Sequence, residues 1–269
     1  MVIEYRITIF NFMKNILLIS ILLFSLTSFK PAAKSPFKEG EWLKFRMHYG
    51  LVNAGYATLS LKDSQYNGKS VYHVIGEGWT TGVAKVFFKV NDVYQSYFDK
   101  ETGLPYHFIR RVDEGGYIIS KDKYFDHQKK EVIVKDHKRN TNEVYKINEV
   151  QDIISAFYFL RNKDFSNFKN GDEITINIFF DGETTPFKLR LLDREVINSK
   201  FGKVKCMKFR PYVQAGRVFK ENESLTVWIT DDDNKIPIRI KATLVVGSLK
   251  ADLEEYKGLS NPFNIIFNN

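Results

Sequence analysis

From Trp42 onward the chain alternates apolar and polar side chains with a period of two, and no other property restricts its fold as sharply. In the run WLKFRMHY, Leu43, Phe45, Met47 and Tyr49 fall on one face and Lys44, Arg46 and His48 on the other. That is the pattern of a strand with one wet side. The alternation recurs in YATLSLK (56–62), SVYHVIG (70–76), DVYQSYF (92–98) and YHFIRRV (106–112), then in GYIIS, EVIVKD and EVYKIN. Asn67-Gly68, Thr102-Gly103, Gly115-Gly116 and the run 139–142 separate these segments as turns. Strands resume in EITINIFF (173–180), PFKLRLLDREVI (186–197), KVKCMKFRP (203–211), SLTVWIT (224–230), IPIRIKATLVV (236–246) and LKADLEEYK (249–257).

One segment departs from this period. In NEVQDIISAFYFLRNKD (148–164), Val150, Ile153 or Ile154, Phe157 and Leu160 recur at steps of three and four. Asn148 stands at the cap position, with acids early and Arg161 and Lys163 late, as the helix dipole favours. The spacing predicts one amphipathic helix lying across a sheet, made bulky by Tyr158 and Phe159.

The chain also repeats itself. FKEGEWLKF (37–45) is echoed by FKNGDEITI (168–176), placing Phe37 and Phe168 131 residues apart. At the same offset, VFFKVNDVYQSYF (86–98) matches RVFKENESLTVWI (217–229), pairing Phe88 with Phe219, Lys89 with Lys220, Asn91 with Asn222 and Tyr97 with Trp228. TGLPYHFI (102–109) matches NKIPIRIK (234–241) at 132, each with a proline opening a strand. Matches in order at nearly one offset imply two related β units. Half of such a protein would expose an apolar face and two sheet edges, and a second copy relieves both liabilities.

Ahead of the strands, Met13-Lys14-Asn15 precedes the apolar run Ile16–Phe24 and a polar exit, the pattern of a secretory signal. Residues 1–33 are read as that signal, with translation starting at Met13 and cleavage between Ser28 and Ala33. The run is shorter than the roughly 20 residues that span a bilayer. No cysteine follows it, and the single cysteine, Cys206, excludes an internal disulfide and reads as a buried small apolar residue.

The formal charge of +8 and pI of about 9.2 would suit nucleic acid in a cytoplasmic protein. Export argues against that partner, and the cations are interleaved with 32 acids as on the solvated face of a sheet. The basic stretch 121–140 reads as a wet hairpin in preference to a phosphate or glycan surface.

No motif for chemistry emerges. The five histidines, His48, His73, His107, His127 and His137, show no metal-ligand spacing. His73, alternating with Val71 and Ile75, reads as a packed, hydrogen-bonded core or interface residue, and His127 and His137 as solvated. Asp231–Asn234 lacks the glycine and glutamate of a calcium loop and reads as a hairpin turn. There is no Gly-x-Ser-x-Gly elbow or phosphate-binding glycine loop. No catalytic, metal or cofactor residue is assigned, and ligand-binding residues stay unassigned.

The segments FKEGEWLKFRMHYGLVNAG, FGKVKCMKFRP, GRVFKENESLTVWITDDDNKIPIRI and VGSLKADLEEY resemble the exported bacterial family catalogued as domain of unknown function 3108, over roughly Phe37 to Lys257. The resemblance implies an envelope location and a β-rich fold and carries no catalytic residue. In plan the chain is also similar to periplasmic lipoprotein carriers, at the level of fold alone.

The expectation is a mainly β fold: a large curved antiparallel sheet or partly closed barrel built from two pseudo-repeats, with one amphipathic helix between them. Residues 34–260 form one domain with repeats at 37–147 and 168–257, a linking helix at 148–164 and a loose tail at 261–269. The expected role is that of a non-enzymatic periplasmic protein without cofactor, cradling a lipid or other amphiphile in the concavity, with transient membrane contact. The alternative is a module that recognises an envelope protein or glycan.

Overall fold

The structure, a computed structural model, describes residues 35–212, 225–243 and 247–266. The expected signal at 1–33, the start at Met13, the repeat partners Phe219, Lys220 and Asn222, and the last three tail residues lie outside the described residues.

Fourteen antiparallel strands form one sheet. The first eight are β1 (Trp42–Tyr49), β2 (Val52–Tyr66), β3 (Lys69–Thr80), β4 (Asn91–Asp99), β5 (Pro105–Glu114), β6 (Tyr117–Asp126), β7 (Glu131–Asp136) and β8 (Thr141–Lys146). The rest are β9 (Glu173–Phe180), β10 (Glu183–Ser199), β11 (Gly202–Tyr212), β12 (Leu225–Thr230), β13 (Pro237–Thr243) and β14 (Ser248–Lys257). A short helix α1 (Gly82–Phe87) joins β3 to β4, and α2 (Ile153–Arg161) joins β8 to β9. The spatial order β8-β7-β6-β5-β4-β3-β2-β1-β14-β13-β12-β11-β10-β9 is two meanders joined where β1 meets β14.

The strands that correspond are β1–β6 and β9–β14, so the repeat expected at 37–147 is matched only as far as β6. β1 and β9 have the same length 131 residues apart, as do β6 and β14. Their irregularities coincide as well. The Gly40 and Leu61 backbones bond ahead of β1 as those of Gly171 and Leu191 do ahead of β9, and Glu41 N donates to Lys38 O as Asp172 N donates to Lys169 O. A bulge between Tyr97 and Phe98 leaves Phe98 opposite Pro105, and one between Trp228 and Ile229 leaves Ile229 opposite Pro237. Bulges mark specific positions in a ladder, so these coincidences reflect one template used twice. The β7–β8 hairpin has no counterpart in the second repeat. It stands between β6 and β9, where a strictly two-fold arrangement would join its halves a second time.

The sheet does not close as a ladder. At the seam between β8 and β9, Gln151 makes a single parallel bridge, donating its N–H to Asn177 O and accepting from Phe179 N. Side chains do the rest: Tyr145 packs on Phe179, and Arg110 pairs with Asp181 at 2.9 Å.

The sheet curves around α2. Period two sends Leu61, Val74, Phe98, Phe108, Phe125 and Val132 to the inner face, where they pack with Ile154 and Tyr158 of the helix. The helix starts later than its apolar spacing predicts, because Gln151 is spent on β9 and Asp152 becomes the cap. Asp152 Oδ1 accepts from Ile154 N and Ser155 N, and Ser155 Oγ returns the bond to Asp152 N. The second helix, α1, escapes sequence reading because six residues are too few to show a 3.6-residue period. The described part of the tail docks, with Phe263 on Phe201 and Tyr256, and Ile266 N bonded to Lys203 O.

Candidate functional site

Cross-strand register arranges the inner face in rows. One row runs Leu61, Val74, Ser96, Phe108, Lys123, Val134 across β2 to β7. The next runs Leu59, Gly76, Tyr94, Arg110, Lys121, Asp136. In the first row Ser96 and Lys123 are polar insertions among apolar neighbours, and both are buried.

Lys123 is 1% exposed. Its Nζ has no hydrogen-bond partner among the described residues. It lies 5.2, 5.4 and 4.8 Å from the ring centres of Phe108, Phe179 and Phe180. Burial lowers its pKa to about 8, against partial compensation by the charges of Asp181 and Asp152. Arg110 shares the Phe180 ring at 4.9 Å and faces Tyr94 at 5.9 Å. Two cations thus flank one aromatic ring at the seam, a favourable but weak arrangement for either.

Beneath them, Asp152 is fully enclosed. Burial pushes its pKa up to about 6, opposed by the hydrogen bond from Ser96 Oγ at 2.6 Å and by the backbone donors of Ser155 and Ile154. Nearer the α1 end, burial likewise pushes Asp92 up to about 6, helped by the charge of Glu114 and opposed by the bond from Asp113 N. The far end of the concavity is shut by Arg161, which donates to both carboxylate oxygens of Glu41 and to the carbonyls of Asn234 and Pro36. The inner face therefore holds a ring-lined patch of Lys123 and of Arg110, the latter paired with Asp181, between a plugged end and a side-chain-held seam. Its chemistry suits an anionic group attached to an apolar body.

Sequence reading missed Lys123. It lies in the stretch 121–140, read as a wet hairpin, yet the alternation of Lys123 with Phe125 is a signal that would have turned it inward. The opposite face does carry the polar neighbours. There His73, Tyr97, His107 and Tyr124 form a row across β3 to β6, stacked at 4.0, 5.7 and 4.4 Å between ring centres. His73 is a half-buried outer-face residue bonded to Gln95, not a core one. His137 is tied to Asp122 at 2.9 Å and His127 to the carbonyl of Pro105. Asp122 also takes Arg111; burial acts to raise its pKa, but His137 and Arg111 outweigh that and hold it low.

The other singled-out residues serve structure. Asp232 Oδ1 accepts from Thr230 Oγ1, Asn234 N and Lys235 N, making Asp231–Asn234 a hairpin turn. Cys206 is 1% exposed, and burial pushes its thiol up to about 12. Among the described residues no group of three or more His, Cys, Asp or Glu is placed to hold a metal ion. No described helix is long and apolar enough to cross a membrane. A cleft of about 330 Å³ beside Lys205 and Asp231 is lined by two acids: Asp231 pairs with Arg194 and Asp232 Oδ1 holds the turn, while Asp232 Oδ2 has no hydrogen-bond partner among the described residues.

Fold and inner face together define a barrel-like antiparallel sheet wrapped around its own helix. The chain belongs to the family described as Protein of unknown function (DUF3108), whose model matches residues 44–254. Among solved structures it is similar to a β-barrel-like protein of the domain of unknown function DUF1849 from Brucella abortus. The TM-score is 0.56 and the identity 8%, covering 82% of this chain and 98% of that one. It is also similar to a protein from Parabacteroides distasonis described as a "putative lipoprotein", with TM-score 0.31, 14% identity and coverage of 84% and 99%. No curated protein matches the chain. The likeness to the DUF1849 protein shows a common fold.

Proposed function

We propose that the protein is an exported, non-enzymatic envelope protein that binds an anionic amphiphile on the inner face of its curved sheet. The observation that carries the reading is Lys123, a buried ammonium without a hydrogen-bond acceptor. Leaving a buried cation unpaired costs several kcal/mol in general, so its retention calls for a counter-group supplied from outside. A headgroup between Lys123 and Arg110 would provide one, with Tyr94, Phe108, Phe179 and Phe180 accepting the apolar part. The seam, held by one backbone bridge and a few side chains, is the route of least resistance to that patch. The apolar run Ile16–Phe24 after Met13-Lys14 motivates export.

Native mass spectrometry of protein isolated from its own cells tests this reading. A retained anionic amphiphile is expected, with occupancy falling at least tenfold in Lys123→Met. Wild-type protein carrying no bound species overturns it.

A second reading is favoured by β8. It stands at the sheet edge with four of its six side chains consecutively exposed, Thr141 to Val144, as a strand open to pairing with a partner segment would. In-cell crosslinking from Asn142 separates the two, since edge recognition yields one reproducible protein adduct.

A further inference from the structure

Among the described residues fourteen large apolar side chains are exposed, and ten of them stand at one end of the sheet. Antiparallel order puts the end of β1, the start of β2, the end of β3, the start of β4, the end of β5, the start of β6 and the start of β14 together at that end. α1 spans it. Every side chain of α1 escapes burial, and Val83, Val86 and Phe87 are 65%, 82% and 83% exposed. A six-residue helix that packs nothing inward contributes little to folding. Its apolar side chains are explained by something outside.

The apolar surface continues on both sides of α1. On one side Thr81 N bonds Ala54 O, bringing α1 beside the β1–β2 turn, where Leu51 is fully exposed. On the other, Phe88 packs on Gly115, and Gly115 N bonds Lys89 O, so that the β5–β6 turn adds Tyr117 and Ile118. Contiguous exposed apolar surface of this kind marks an interaction site.

We infer that this rim docks on an anionic lipid membrane. The charge favours that occupant. Residues 81–89 hold Lys85 and Lys89 and no acid, and Lys138, whose Nζ reaches Ile118 O at 3.4 Å, borders the β5–β6 turn, with exposed Arg139 beside it in a loose 4.0 Å pair with Asp136. The acid nearest Lys89 is Asp113, at a loose 3.9 Å. Apolar side chains ringed by lysine and arginine are the composition of an interfacial anchor, and each cation near an anionic surface adds to the attraction. The inference does not depend on occupancy of the inner patch.

The test is sedimentation of protein isolated from its own cells with vesicles of phosphatidylglycerol and phosphatidylcholine, against vesicles of phosphatidylcholine alone. Binding to the anionic vesicles is expected, weakened at least tenfold in Val86→Ser/Phe87→Ser and severalfold in Lys85→Glu/Lys89→Glu. Hydrogen exchange of residues 82–89 slows on vesicle addition. Because the substituted side chains are exposed, thermal melting confirms that each variant folds. Equal binding by the rim variants overturns the inference. So does a wild-type dimer that the same substitutions disperse, since the occupant would then be a second copy.

Discussion

Arg161, the last residue of α2, and Glu41, the residue before β1, form a bidentate ion pair at 2.5 and 2.7 Å although 120 residues separate them. Both are almost wholly buried, at 2% and 0% side-chain exposure. With the bonds to Pro36 O and Asn234 O, every nitrogen of the guanidinium is used. One side chain thus ties the internal helix to the lead-in of the first repeat and to the β12–β13 turn of the second.

Removing only one partner strands a charge in the interior. Arg161→Met is expected to lower unfolding free energy by about 3–5 kcal/mol, read by urea denaturation. Glu41→Leu/Arg161→Met should recover part of that loss; a double variant no better than the single would assign the effect to the carbonyl bonds instead.

Stability should pass through a minimum between about pH 6 and 8. Asp152, its pKa raised to about 6 by burial, binds its proton more tightly in the folded chain, so its contribution is full below pH 4 and lost as pH rises through 6. Lys123, lowered to about 8 by burial, releases its proton more readily when folded, so its contribution is present above 10.5 and lost as pH falls through 8. Denaturant midpoints at pH 5, 7 and 9 should show the dip, with Asp152→Asn shrinking the acid limb, which Asp92 shares, and Lys123→Met removing the alkaline one.

Leu61 and Leu191 occupy equivalent places in the two repeats, each opposite the Gly-acid turn that opens its unit, at 1% and 0% exposure. Leu61→Ala and Leu191→Ala should each cost about 2–5 kcal/mol. A difference greater than twofold between them would show that the shared template no longer implies shared packing.

Gly258 adopts φ +64, and a Cβ there would stand 2.2 Å from the carbonyl oxygen of Gly40. Backbone must move to admit alanine, so Gly258→Ala should destabilise by more than about 1 kcal/mol. Gly116, at φ +91 with open space around it, serves as the control that isolates the backbone strain from the close approach.

The fold was legible because two signals are strictly local. Alternation set β1 and β9 at their observed limits, and the Phe-Lys-x-Gly-acid motif carried the repeat. What escaped depends on partners remote in sequence. The helix boundary moved from Asn148 to Asp152 because β9 claims Gln151, and the β7–β8 insertion shows only as a missing match. Lys123 is hidden by its charged neighbours, although it shares the strand parity of Phe125. The α1 rim has no period at all; its meaning comes from the turns that surround it.

The junction of β1 with β14 has a bearing on synthesis. Its pairs, such as Trp42 with Lys257, can form only after the chain has emerged as far as Lys257, and pairings so distant in sequence form slowly. Until then the early meander carries an unprotected flank on β1, ready to accept any foreign strand. Delayed folding, by a chaperone or by transport in extended form, would spare the nascent chain from that hazard.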